Sequence, residues 1–164
     1  MKKYFFILFV FASISSFSQT DFSKVVMAKD ADYKVAEKSA LEASSYVLLT
    51  PLNAKDERLA VATKFIVKWM EGTPDYTYVI EYPIITKLNS ENEGLQGVYF
   101  AGMTKFSLEN GAKGQDPQLV LINGIKAVIA YSQKPENNVV MSDTLKKIIE
   151  INEKGELEKQ FKVN

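Results

Sequence analysis

Aromatic and acidic residues crowd one short stretch of this sequence, in a combination that could form a carbohydrate site. Aromatic rings offer broad apolar faces, and a pair of carboxylates is the catalytic unit of most glycoside hydrolases. In such a site Asp75 and Glu81 would act as acid and base. The ligand-binding candidates in this stretch are Trp69, Asp75, Tyr76, Tyr78, Glu81 and Tyr82.

The same aromatic side chains would also suit a hydrophobic core. The chain contains no cysteine, so it folds without disulfides and depends on buried apolar area for its stability. Large aromatic residues supply much of that area in a small protein. A core role for the cluster is therefore the favoured interpretation, and a ligand site is the alternative.

The single arginine of the chain, Arg58, is a further candidate for ligand binding. A guanidinium held beside a buried face can grip a carboxylate or phosphate through two parallel hydrogen bonds. The other possibility is an ion pair within the protein, for which Asp75 and Glu81 are the predicted partners. The ion pair is the favoured interpretation.

Two absent residue types exclude several kinds of chemistry. Without histidine or cysteine the chain has no Ser-His-Asp or Cys-His nucleophile, no zinc site built on those ligands and no covalent haem attachment. Asp30 and Asp32 begin like a calcium loop, but Lys34 replaces the third oxygen ligand. We therefore assign no catalytic residue, metal site or cofactor. The formal net charge is zero, which gives no electrostatic reason to bind nucleic acid.

Apolar periodicity predicts two helices in the first half of the chain. Residues 33–49 place alanines at helical spacing, and Pro51 ends that segment because the residue before a proline avoids the helical region. Residues 53–72 form a broad apolar face opposite charged residues, which is typical of an amphipathic helix. We expect Asn53 to cap this helix and Gly72 to follow its last turn.

Three further helices have recognisable start signals. Ser90 and Glu93 match a capping box, in which each residue satisfies a backbone amide of the other. Asp116 precedes a proline at the first helical position, and the segment that follows is apolar on nearly every side, as in a buried central helix. We predict helices at residues 90–110, 116–131 and 142–155, the last capped by Ser142.

The stretch from 74 to 88 carries conflicting signals. Its apolar residues fit one face of a helix, but its tyrosines at 76, 78 and 82 also alternate as in a strand. β-Branched and aromatic residues favour the strand, and Pro83 interrupts either structure. We predict a helix that is bent or broken at Pro83, with a strand as the alternative.

Residues 1–18 have the pattern of a cleaved secretory signal. Lys2 and Lys3 precede a short apolar run at residues 4–12, which lacks the length of a membrane span. Small residues then occupy the positions that signal peptidase recognises, with Ser18 immediately before the cut. No later stretch is apolar enough for a membrane span, and the absence of cysteine excludes the lipoprotein route.

Residues 19–164 are expected to form a single all-α domain, a compact array of about five helices joined by short loops. We interpret the protein as exported, soluble and non-catalytic, binding another protein or an envelope ligand in the periplasm or outside the cell. The alternative is a carboxylate-dependent hydrolase that acts on an envelope glycan through Asp75 and Glu81.

Cleavage before Gln19 can be tested directly. The exported protein should begin at Gln19, either as the free residue or as the cyclised form that an N-terminal glutamine can produce, because Ser18 occupies the position before the cut. Intact-mass spectrometry of the exported fraction measures this. Exported protein that still carries Met1 would contradict the prediction.

Overall fold

The computed structural model describes residues 20–52 and 55–163, and within these ranges the chain forms helices and turns but no strand. The predicted signal segment and Asn53 lie outside the described residues. The all-α fold class is confirmed, with seven α-helices in the described ranges where about five were predicted. They are α1 Asp30–Leu49, α2 Glu57–Gly72, α3 Tyr82–Glu91, α4 Leu95–Glu109, α5 Pro117–Ser132, α6 Asp143–Glu153 and α7 Leu157–Gln160.

Helix α4 lies at the centre of the array, in contact with α1, α2, α3 and α5. The sequence pattern predicts α5 as the central helix, and α5 is indeed largely buried, but α4 is enclosed even more completely. Val98, Tyr99, Ala101 and Met103 face different directions on α4, and each has an exposed fraction of zero. A helix surrounded in this way must be apolar or small on every side.

Small residues allow α4 and α5 to pack closely. A Cβ atom added to Gly102 on α4 would lie 2.3 Å from the Cβ of Ala127 and 3.3 Å from the Cα of Gly124, both on α5. A Cβ added to Gly124 would in turn lie 2.6 Å from Met103. The missing side chains of Gly102 and Gly124 therefore allow the two helices to approach closely.

Two of the predicted helix starts are confirmed by their hydrogen bonds. The Asp116 carboxylate accepts from the amides of Gln118 and Leu119, at 2.9 and 3.2 Å, and opens α5. The Ser142 hydroxyl accepts from the Leu145 amide at 3.2 Å and opens α6. Each bond satisfies a backbone donor that has no partner inside its helix.

The predicted capping box at Ser90 is wrong, because α3 continues through this residue to Glu91. The Ser90 hydroxyl donates to the Lys87 carbonyl one turn back. Helix α4 begins only after Gly94, whose φ of +98° suits a glycine. The side-chain oxygen of Asn89 accepts from the amides of Gly94 and Gln96, at 3.0 and 3.3 Å, and so serves the start of α4.

The start of α2 also differs from its prediction. Asp56 is the capping residue, and its carboxylate accepts from the Leu59 amide at 2.8 Å. An aspartate is as good a cap as an asparagine, and here it lies directly before the apolar periodic segment. At the other end Gly72 is the last residue of the helix instead of the first residue beyond it.

Residues 74–81 form an extended connection, which we call the strap, so the predicted helix in this part of the stretch is wrong and the strand alternative is not formed either. Pro83 occupies the first turn of α3 and does not break a helix. Proline is favoured there because its fixed φ is helical and its missing N–H has no partner to lose.

The α4–α5 contact predicts the effect of a single added methyl group. Gly102→Ala should lower the free energy of unfolding by about 1–3 kcal/mol, because the new Cβ overlaps backbone-anchored atoms of α5. Adding Ala127→Gly should recover part of that loss, since it removes the nearest overlapping atom. Urea denaturation of the two single variants and the double variant measures this coupling. Strictly additive effects would contradict the close contact.

Candidate functional site

Trp69 lies in the core, as the favoured interpretation predicts. Its exposed fraction is zero, and its indole N–H donates to the Tyr33 carbonyl at 3.0 Å. The Tyr33 ring packs against Gly72 one turn further along α2, where any side chain would overlap it. This arrangement joins the end of α2 to the start of α1, with the polar edge of the indole satisfied.

Two tyrosines of the strap pack against Trp69. The ring centroids of Tyr76 and Tyr78 lie 5.6 and 6.4 Å from that of Trp69, both in tilted or edge-on arrangements. Burial raises the pKa of both phenols. Tyr82 belongs to α3 and has an exposed fraction of 59%. The structure therefore brings three of the four predicted aromatic residues together as packing, without a free aromatic face on Trp69.

The two acids of the predicted site lie near opposite ends of the strap. Asp75 is exposed and forms an ion pair with Lys34 at the start of α1, with 3.5 Å between nitrogen and oxygen. Glu81 is the residue before α3, and its side chain does not cap that helix. With Trp69 fully buried, no sugar ring can stack on its indole in this conformation. These contacts give the glycan-hydrolase alternative no support.

Arg58 lies in the first turn of α2, and its guanidinium is positioned over two aromatic rings. The distances to the ring centroids are 4.5 Å for Tyr46 and 5.6 Å for Phe22. Asp75 follows the other end of α2, about 20 Å away at 1.5 Å per residue, so the predicted ion pair between them is wrong. Cation–π contact with these two rings is one observed role of the arginine.

A groove lies elsewhere in the described part of the chain, between α2 and the start of α4. Its volume is about 540 Å³, within the range of small-molecule sites. One stripe of α2 lines it at spacings of three and four residues, over about 16 Å of helix. That stripe consists of Asp56, Leu59, Ala60, Thr63, Lys64 and Val67.

The opposite wall of the groove comes from α4 and its approach. Gly97 lies against Thr63, since an added Cβ would be 2.9 Å from the threonine methyl group, and this close contact forms the floor. Phe100 continues the wall along α4, and Val47 and Leu52 close it from the end of α1. The lining is therefore mostly apolar, with Thr63, Asn89 and Gln96 as its uncharged polar residues.

Three charged residues line the groove: Asp56, Lys64 and Glu93. Two acids and one lysine give them a formal charge of −1. The Asp56 carboxylate also caps α2 through the Leu59 amide. Such polar groups at an otherwise apolar site are the usual means by which a ligand is oriented.

Sequence analysis missed this groove. The apolar face of α2 predicts that its large hydrophobic residues are buried. The groove is instead lined mainly by residues beside that face. Ala60 and Thr63 are small residues at helical spacing, and they were the available signal. That signal is weak, because small residues at a helix edge also occur where no groove exists.

The described ranges contain neither a metal-binding cluster nor a membrane-spanning helix. No group of three or more acidic residues there could hold a metal ion, and none of the helices in those ranges has the length and apolarity to cross a membrane. The chain matches no protein-family model, no curated protein and no solved structure. The site must therefore be interpreted from its own geometry.

Replacing Trp69 tests its core position. Trp69→Ala should lower the free energy of unfolding by about 3–5 kcal/mol, because it removes a fully buried aromatic side chain and leaves a cavity. Acrylamide should quench the wild-type tryptophan poorly. Asp75→Asn should leave the melting temperature nearly unchanged, because its ion pair with Lys34 is solvent-exposed. Circular dichroism follows the urea and thermal denaturation of both variants, since Trp69→Ala removes the single tryptophan of the chain, and a stable Trp69→Ala protein would contradict the assignment.

Proposed function

We propose that this protein is a non-catalytic binding protein of the cell envelope or the extracellular space, and that the groove between α2 and α4 holds its ligand. The observation that carries the proposal is the groove itself, a mostly apolar concavity of about 540 Å³ whose lining includes three charged residues. The basic, apolar and small-residue pattern of residues 1–18 supports export.

The shape of the groove favours an amphiphile with one apolar chain. The lining stripe on α2 runs for about 16 Å, which suits an extended alkyl chain. Leu59, Val67 and Phe100 provide apolar walls for that chain, while the charged lining residues can meet a head group. A ligand of this class needs no catalytic residue, since burial of the chain supplies the binding energy.

The charge at the edges predicts which head group binds better. Asp56 and Glu93 outweigh Lys64, so a cationic head group is favoured over an anionic one on the same chain. One net unit charge at several ångströms in a largely aqueous setting corresponds to a preference of about two- to fivefold at low salt.

Filling the groove should abolish this binding. Ala60 is solvent-exposed and lines the groove, so Ala60→Phe places a ring where the alkyl chain would lie without disturbing the core. Isothermal titration calorimetry with dodecyltrimethylammonium below its micelle concentration should show affinity weakened by roughly tenfold or more, because the ring clashes with the bound chain. Dodecanoate provides the comparison for head-group charge.

Ala130→Phe is the matched control. Ala130 is also an exposed helical alanine, but it lies on α5 outside the groove. This variant should bind dodecyltrimethylammonium like the wild type. Equal affinities for Ala60→Phe and the wild type, with both proteins folded by circular dichroism, would place the binding site elsewhere and refute the proposal.

A further inference from the structure

Two Asn-Gly dipeptides occur in the sequence, at residues 110–111 and at residues 123–124. Asparagine is a chemically labile residue, because the backbone nitrogen of the next residue can attack its side-chain amide. Glycine in that next position favours the attack, since it has no side chain to obstruct it and leaves the backbone free to rotate. The structure places the two dipeptides in different environments, so their reactivity should differ.

The first dipeptide lies in an exposed turn at the end of α4. Asn110 follows the last residue of the helix, and Gly111 begins a short 3-10 turn at residues 111–115 with a φ of +51°. Both residues are exposed, and a Cβ atom added to Gly111 would meet nothing within 4 Å beyond its chain neighbours. Among the described residues, the Gly111 amide donates no hydrogen bond to a protein group. Both the attacking nitrogen and the side chain that it attacks are therefore accessible.

The second dipeptide lies in the middle of α5, against α4. Gly124 is buried, and a Cβ atom added to it would lie 2.6 Å from the Met103 side chain. The Asn123 carbonyl oxygen would lie 3.4 Å from a Cβ added to Gly102 on α4. The Asn123 side-chain amide donates to the Leu119 carbonyl at 2.8 Å. Attack at Asn123 requires this peptide to rotate out of the helix, which the packing against α4 opposes.

We propose that Asn110 is a site of spontaneous deamidation and that the packing of α5 protects Asn123. In the first step the Gly111 nitrogen forms a bond to the Asn110 Cγ atom, and the bond between Cγ and Nδ2 breaks. The Nδ2 group leaves as ammonia, together with the proton from the Gly111 amide. Solvent water then opens the resulting succinimide at either carbonyl, adding a hydroxyl to carbon and a proton to nitrogen. The products are aspartate and isoaspartate at position 110.

Deamidation removes a contact that completes the end of α4. The Asn110 Nδ2 atom donates to the Phe106 carbonyl at 2.8 Å, and so satisfies one of the last carbonyls of the helix. A carboxylate cannot donate this bond, and it adds negative charge at the negative end of the helix dipole. The new charge also follows directly after Glu109 in the chain. The deamidated protein should therefore be less stable than the original one.

Isoaspartate adds a second perturbation, because it lengthens the main chain by one carbon atom. The turn at residues 111–115 packs closely against the last turns of α4, since a Cβ atom added to Gly114 would lie 2.1 Å from the Ser107 carbonyl oxygen. An extra main-chain atom between the helix and the turn displaces this contact. Isoaspartate should therefore destabilise the end of α4 more than aspartate does.

Peptide mapping can follow the two asparagines separately, because trypsin places them in different peptides, residues 106–113 and 114–126. The folded protein is incubated at mildly alkaline pH and digested, and mass spectrometry measures the deamidated fraction of each peptide. Asn110 should react at least about tenfold faster than Asn123, because helix ends open at little cost in free energy whereas core helices open rarely. In denaturing urea the two rates should become comparable, since each asparagine still precedes a glycine and the protection by α5 is gone.

Two variants test the consequence for stability. Asn110→Asp reproduces the aspartate product and should lower the urea denaturation midpoint, because it loses the bond to the Phe106 carbonyl and adds the unfavourable charge. Asn110→Gln is the matched control, since it keeps an uncharged amide donor, and its midpoint should lie closer to that of the wild type. Equal rates at Asn110 and Asn123 in the folded protein, or faster reaction at Asn123, would overturn the proposed site. An Asn110→Asp midpoint at or above that of Asn110→Gln would overturn the proposed loss of stability.

Discussion

Helix α4 is enclosed by four other helices, and this enclosure is the constraint on which the rest of the structure depends. Close packing around one helix requires small residues where its neighbours approach, and Gly97 and Gly102 occupy two such positions. Gly102 sets the distance to α5, and Gly97 sets the distance to α2. The absence of side chains at these two glycines therefore determines how closely α2 and α5 can approach α4.

The two halves of α4 contribute to different features. Its first two turns, up to Phe100, form one wall of the groove. The contact between Gly97 and Thr63 brings α2 and α4 close together at the floor of the groove. The last turns of α4 carry Thr104 and Ser107, two buried polar residues. A single buried helix therefore lines the groove at one end and holds buried hydroxyl groups at the other.

The strap shows how a segment without regular structure can still be ordered. Trp69 bonds to the Tyr33 carbonyl and fixes the end of α2, and the strap tyrosines then pack on the indole. Aromatic area thus replaces the backbone hydrogen bonds that a helix or strand would supply. The aromatic cluster that suggested a carbohydrate site is needed for this packing.

The sequence by itself determined the all-α class, the caps at Asp116 and Ser142, the end of α1 before Pro51 and the buried face that contains Trp69. These features depend on residues within a few positions of one another. The tertiary structure was needed to show that Asn89, and not Ser90, accepts from an amide at the start of α4. It was also needed to show that the strap is neither helix nor strand. The groove also required it, because it depends on the distance between α2 and α4, which follows from packing around α4.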